Sequence, residues 1–501
     1  MKTRLFMKRL HLFLLIFLPF VRPGFSQMQE GSKLVQLLAP IEKKIDSLIE
    51  HKNIPSASIA VAKDGEIVWQ KSFGWANKEE KVKATPQTIY ALGSLSKSIS
   101  ATGLMTMVEN NQLSLESSVN KNLGTAQLVS FVGDPDEVKV WHLLNMSAGI
   151  PHGWATYNQR KDTPHNQQEK DQFLQKIGII TFPPGKVFQY SNYSLGVVDL
   201  LIERKSGKPL ERFMQEAVFG PLQMNHSFTQ YHPEKKQDFA SLYNSELALI
   251  DHYDFLPYGG GGFFSSAADL IQYGMFHLKN KLANQKQILS PATLDLMHYF
   301  DRGPIHLMGL GWFNTGHSLV SNGRISGAQS NLTLVPSENL AVVCLINAST
   351  STYYADQTVD QIIDLIAPDL EKKMDAEKYA ALFETPYESD EALLGNWKGQ
   401  ITTQEQVINL KMTFMPKGKV RIQVGDEAEK ELERVIFSPS GKISTSVRSQ
   451  IPVSGFKGDR DVFTLIELQL DQGKLIGHFA PMFSNDQGSF CFGAFAQLEK
   501  T

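Results

Sequence analysis

The sequence predicts an α/β protein with a separate all-β domain at its C-terminal end. Three observations point there. An Asp64-Gly65 pair lies between two largely apolar runs, Ala57–Ala62 and Glu66–Phe73, the pattern of a tight β-hairpin. Segments of helical periodicity surround and follow that hairpin, at 33–51, 97–111, 193–205 and 354–370. Beyond residue 392 helices are scarce and short strands dominate, which reads as a barrel or sandwich over 393–501.

Taken in order, residues 1–26 stand apart. Lys2, Arg4, Lys8 and Arg9 form a basic start, Leu10 to Val21 is almost wholly apolar, and Gly24 and Ser26 supply the small residues a signal peptidase reads. A secretory signal peptide cut after Ser26 is expected, and with it a periplasmic or secreted location. The apolar run is shorter than the roughly 20 residues a bilayer needs, so no stable membrane span is expected. In 33–51, Leu34, Leu37, Leu38, Ile41, Ile45 and Leu48 share one helical side. The 97–111 helix is apolar almost all round and is expected to be buried. Residues 152–172 are polar and read as a surface excursion. Pro183-Pro184-Gly185 is a turn, and the 193–205 helix ends at Gly207. Gly259–Gly262 reads as a flexible loop leading to a capping pattern, Ser266 with Asp269, that opens another helix. Asn331–Val335 and Leu340–Ile346 are strands joined by Pro336-Ser337-Glu338-Asn339. Residues 371–392 are charged and read as a linker. The strands expected after it are Val407–Met415, Val420–Val424, Val462–Leu470, Lys474–Ala480 and Phe490–Leu498.

Composition excludes several function classes. The chain has 501 residues, with 49 Lys plus Arg against 52 Asp plus Glu, a net charge of −3 that gives no general attraction to nucleic acid. It has only two cysteines, Cys344 and Cys491, which excludes a disulfide framework and a thiolate-rich metal site. Cys344 lies inside the apolar run Leu340–Ile346 and reads as a core thiol. Among 13 histidines there is no H-E-x-x-H, and no phosphate-binding or dinucleotide-binding glycine motif occurs. No metal and no cofactor is expected.

The chemistry-bearing residues lie elsewhere. Ser94-Leu95-Ser96-Lys97 puts a serine and a lysine three apart at the start of the buried helix, where residues i and i+3 share a face. A buried lysine loses its proton readily, and a neutral amine beside a hydroxyl can turn it into a nucleophile. The helix N-terminus favours developing negative charge. Ser454-Gly455-Phe456-Lys457 has the same spacing but sits among glycines and turns rather than at a helix start. Tyr190-Ser191-Asn192 is a second element. A tyrosine near a lysine can act as a general base, and an asparagine amide can hold a lysine and a substrate amide together.

In this order, these two motifs resemble those of the class C serine β-lactamases and their penicillin-binding-protein and esterase relatives, which carry S-x-x-K, then Y-x-N, then K-[ST]-G or H-x-G on a strand. The resemblance extends to Ile54–Ser58 with its hairpin, to Trp141–Ile150, to Gly261–Leu270, to Leu334-Val335-Pro336 and to Asn347, and so covers residues 33–370. It implies a β-lactamase/transpeptidase-like fold over 27–370: an antiparallel sheet flanked by helices, a helical subdomain, and a site between the two. Ser94, Lys97, Tyr190 and Asn192 are then the catalytic residues of acyl transfer. Lys205-Ser206-Gly207 imitates the third motif but closes a helix. The matching strand position reads Ser321-Asn322-Gly323-Arg324, assigned to substrate binding, with serine where lysine or histidine usually stands. The backbone N–H groups of Ser94 and Arg324 are the implied oxyanion donors, and Arg324 is the candidate replacement for the missing cation. The resemblance implies a hydrolase for a small-molecule or peptide amide or ester. A D-amino-acid peptidase or an esterase is favoured over a dedicated β-lactamase, because the altered third motif removes the cation that β-lactam turnover usually relies on. The alternative is a non-catalytic binding protein on the same fold, and the C-terminal domain is a candidate for cell-wall contact.

Overall fold

A computed structural model describes residues 34–370, 385–438, 441–451 and 461–501. The expected signal segment, most of the expected linker and the second Ser-x-x-Lys therefore lie outside the described residues.

The chain enters through helix α1 (Ala39–Glu50) and turns at Asp64-Gly65 between strands β1 (Ser56–Lys63) and β2 (Glu66–Asn77), with a short β3 (Val82–Lys83) after them. Asp64 and Gly65 both have positive φ, as a two-residue hairpin turn requires. Helix α2 (Ser96–Glu109) follows a 3₁₀ turn at Gly93–Leu95. Strand β4 (Trp154–Tyr157), helix α3 (Asn192–Ser206) and helix α4 (Ala267–His277) lead to β5 (Phe313–Asn314), β6 (Leu319–Ile325), β7 (Ala328–Val335) and β8 (Leu340–Ile346), and helix α5 (Tyr354–Ile366) closes the region.

Seven strands form one antiparallel sheet in the order β5-β6-β7-β8-β1-β2-β3. Its residues alternate between two buried faces, as strand geometry demands. Ile59 and Val61 of β1 pack with Leu38, just ahead of α1, with Ile41 of α1, and with Val359 and Ile362 of α5. Ala60 and Ala62 face the other way, into the core that holds α2, α3 and α4. This is the expected α/β fold, an antiparallel sheet covered by helices on both faces. Cys344 is buried in the α1/α5 layer, where burial pushes its thiol far above the usual range, so it stays a protonated core residue.

The β-rich region runs from Thr385–Pro386 and includes β9 (Gly395–Thr402), β10 (Val407–Phe414), β11 (Val462–Asp471), β12 (Lys474–Asn485), β13 (Gly488–Cys491) and β14 (Ala494–Lys500). Its own apolar core contains Trp397, Phe414, Ile466 and Phe479. The sheet does not stop at the domain edge. β13 pairs with β4 of the first region in register Ser489↔Thr156 and Phe490↔Ala155, and β4 pairs in turn with Asp254–Leu256. Two aromatic stacks cross the same junction, Phe131 on Phe495 and Tyr193 on Phe492. The polar stretch 152–172 thus includes a strand that joins Asp254–Leu256 to the sheet of the β-rich region, followed by helix Gln167–Ile177, capped reciprocally by Asn166 and Glu169. Its polarity misled because the strand is short and its partner lies more than 300 residues away. Among the described residues, no helix is long and apolar enough to cross a membrane, and no cluster of side chains suits a metal ion.

Candidate active site

Ser94 lies on the 3₁₀ turn that feeds α2, and Lys97 is in the first turn of that helix. The turn is pressed against the edge of β6. Gly93 has φ +55°, and a Cβ there would sit 2.8 Å from the Arg324 nitrogen. A Cβ on Gly323 would meet the Ser94 nitrogen at 2.5 Å, so both positions require glycine for this backbone approach. The approach brings the backbone of Ser94 and Arg324 to the same corner of the cleft.

Lys97 Nζ donates to Ser94 Oγ at 3.0 Å, to Asn192 Oδ1 at 2.7 Å and to the Gly260 carbonyl at 2.5 Å. Tyr190 donates its hydroxyl to Ser94 Oγ at 2.7 Å, and the ammonium lies 4.8 Å from the Tyr190 ring centre. Asn192 is held in place by donating Nδ2 to the Gly153 carbonyl at 3.0 Å. Burial pushes the Lys97 pKa down, partly countered by Tyr190. A neutral amine keeps two N–H bonds, enough for Asn192 Oδ1 and Gly260 O, and turns its lone pair to Ser94 Oγ.

Gly260 belongs to the glycine run read above as a flexible loop. The structure shows a buried turn. Asp199 of α3 accepts from the Gly259 nitrogen at 2.8 Å and from Ser100 Oγ at 3.0 Å. A Cβ on Gly260 would lie 2.7 Å from the Pro257 ring and 2.9 Å from the Asn192 carbonyl. The glycines permit close approach rather than motion. Burial raises the Asp199 carboxyl to about 7, against the two hydrogen bonds that favour its charged form.

The third-motif residues divide. Ser321 Oγ is 2.8 Å from Ser98 Oγ, a scaffold contact on α2. Asn322 donates to Asp356 of α5 at 2.9 Å, and Asn331 donates to the same carboxylate oxygen. Arg324 is exposed, donates to the Thr350 carbonyl and lies 4.5 Å from the Tyr353 ring centre. Ser94, Tyr190 and Arg324 stand where two cavities meet, one of about 990 Å³ toward Trp154, Tyr253 and Phe255, the other of about 290 Å³ toward Ser321 and Asp356.

Sequence reasoning passed over His152, Gly260, Asp199, Asp356 and the tail residues near the cleft. His152 lines the larger cavity, 5.4 Å from the Tyr190 ring, and burial holds its pKa down at about 4, so it is neutral. Its position directly after the Trp141–Ile150 segment was the one signal for it. Ser489 of β13 lines the same cavity, and nothing local in the sequence marks it.

The β-lactamase family profile matches residues 41–365. The chain belongs to the β-lactamase family. Among curated relatives it is similar to the protein named flp of Staphylococcus aureus (strain COL), 23% identical over 332 residues. That match takes in 64% of this chain and 66% of the relative. A β-lactamase of Escherichia coli (strain K12) is 24% identical over 59% of this chain and 75% of its own length. Among solved structures, the octameric penicillin-binding protein homologue from Pyrococcus abyssi superposes with a TM-score of 0.55 at 21% identity, over 92% of this chain and all of that one. A class C β-lactamase gives 0.54 at 18% identity, over 67% of this chain and 97% of that one. At these identities the structural likeness speaks for the fold. The likeness takes in 67% of the chain for the class C β-lactamase and 92% for the Pyrococcus abyssi protein.

Proposed function

We propose that the protein is a serine hydrolase that forms an acyl-enzyme on Ser94, cleaving an amide or ester of the D-amino-acid peptide or simple ester type. The observation that carries this is the doubly held hydroxyl, with Lys97 at 3.0 Å and Tyr190 at 2.7 Å from Ser94 Oγ. In this reading the Lys97 amine takes the Ser94 proton as Oγ attacks the carbonyl carbon. The Ser94 and Arg324 N–H groups stabilise the oxyanion, an arrangement worth several kcal/mol, roughly 3–4 per donor. Tyr190 passes a proton to the leaving group and then helps water attack the acyl-enzyme. Asn192 orients Lys97 and the substrate. With Ser321 engaged to Ser98 and no lysine at that position, a peptide or ester is favoured over a β-lactam. The basic and apolar start of the chain supports export.

The test is a panel of nitrocefin, a D-Ala-D-Ala peptide, D-amino-acid amides and p-nitrophenyl esters with the mature protein. Turnover of an ester or peptide, faster than nitrocefin and lost in Ser94→Ala, is expected. No turnover of the panel and no labelling by a fluorophosphonate or a fluorescent penicillin would leave a ligand-binding protein instead.

A further inference from the structure

Tyr190 sits on irregular backbone just before α3, so no ladder or helical hydrogen bond of its own holds it. Its neighbours are tied down one by one. Gln189 donates its backbone N–H to the Met146 carbonyl at 2.7 Å, and Ser191 Oγ donates to the Pro151 carbonyl at 2.8 Å. The Gln189 side chain is buried and reaches into the β-rich region, where Nε2 donates to Glu467 Oε2 at 2.5 Å. Gln189 Nε2 also donates to the Tyr190 carbonyl at 3.3 Å and Oε1 has no partner among the described residues, so the shorter bond to the carboxylate is the main anchor of this amide.

Glu467 is an unusual residue for the middle of β11. It makes an ion pair with Lys442 at 2.8 Å and lies 3.1 Å from His478 Nε2. Burial opposes its ionisation, but Lys442 and His478 outweigh that and hold the carboxyl well below its usual range. Such a largely buried ionic cluster, with Lys442 and Glu467 side chains 11% and 19% exposed, adds little net stability compared with apolar packing, but it fixes where the carboxylate sits.

We infer that Glu467 of the C-terminal domain is a positioning residue for Tyr190, acting through Gln189, so that the β-rich region is a working part of the catalytic unit. The inference rests on the serine-hydrolase reading and extends it to residues outside the matched family segment. The carboxylate fixes the Gln189 amide, which fixes the backbone that aims the Tyr190 hydroxyl at Ser94. Misplacing a catalytic group by about 1 Å can cost on the order of a hundredfold in rate.

The test is a double-mutant cycle in the full-length protein with Glu467→Leu, Gln189→Leu and the pair, reading kcat and KM on a p-nitrophenyl ester. Each single variant is expected to lower kcat about tenfold with KM changed less than about twofold, and the pair to lose no more than the worse single. Glu467→Gln, which still accepts from Gln189, recovers part of the loss. Phe131→Ala is the control: it removes the stack on Phe495 at the same junction without touching the Glu467 cluster and is expected to lower Tm while leaving kcat alone. Wild-type kcat in the variants, strictly additive losses, or a kcat loss in Phe131→Ala as large as in Glu467→Leu would overturn the inference. A wild-type protein inert to every ester and to fluorophosphonate would instead bring down the hydrolase reading, and this proposal with it.

Discussion

At the scale of single residues, the chemistry centres on the Ser94 hydroxyl and the two side chains that hold it, Lys97 and Tyr190. Lys97→Met is expected to lower kcat by about a thousandfold or more, and Tyr190→Phe by about a hundredfold, in steady-state assays of a cleaved ester. Because burial depresses the Lys97 pKa, its amine is present above that lowered value and is lost as pH falls through it. kcat/KM should therefore rise with pH on an acid limb that Lys97→Met abolishes. Arg324 is exposed and already donates to Thr350, so its pull on an anion is screened. Arg324→Ala should cost a few-fold on an anionic ester and little on a neutral one, and the difference should shrink in about 1 M salt. Equal losses on both esters at every ionic strength would remove anion recognition from its role. Much of this site was legible because the chemistry is written in short spacings, Ser94 to Lys97 and Tyr190 to Asn192. The turning of Ser321 and Asn322 toward Ser98 and Asp356 was not, because it depends on what stands behind the strand.

At the scale of elements, the informative piece is the Gly259–Gly262 turn. The glycine run read as looseness, since a glycine-rich stretch reports permitted backbone and not its surroundings. Packed against Asp199 and Asn192, it delivers the carbonyl that Lys97 donates to. Gly260→Ala would crowd Pro257 and Asn192 and should destabilise the protein by about 1–3 kcal/mol, read as a drop in Tm, with a loss of kcat. Asp199 carries a pH signature. Its folded pKa, about 7, lies above the unfolded value, so the native state holds its proton more tightly. That contribution is full below about pH 4 and fades as pH rises through 7. Asp199→Asn should remove the fading, leaving the variant more stable than wild type relative to its own acid value by at least about 1 kcal/mol at pH 8 in urea titrations. The hairpin at Asp64-Gly65 and the helices were legible in turn chemistry and periodicity. Strand β4 was not, since four residues carry too little pattern and its partner is distant in the chain.

At the scale of the molecule, the two regions share sheet and aromatic stacks, and Gln189 of the first is hydrogen-bonded to the ion cluster of the second. The composition change near residue 371 announced a second domain, and nothing in it announced that Glu467 and Ser489 come back to the first. Pairings across 300 residues leave no local trace. A chain ending at residue 370 would strip β4 of β13 and expose Tyr193, whose hydroxyl donates to the Cys491 carbonyl at 2.7 Å. It should lose ester turnover by at least about tenfold and unfold at lower temperature. Full activity in that truncated chain would show the tail to be an appendage. The most direct test of the central claim is the intact mass of the mature, full-length protein after reaction with a fluorophosphonate, followed by peptide mapping. The account predicts one adduct per chain, on Ser94, absent from Ser94→Ala and slowed in Lys97→Met. An adduct that persists in Ser94→Ala, or no adduct on the wild-type protein, would contradict it.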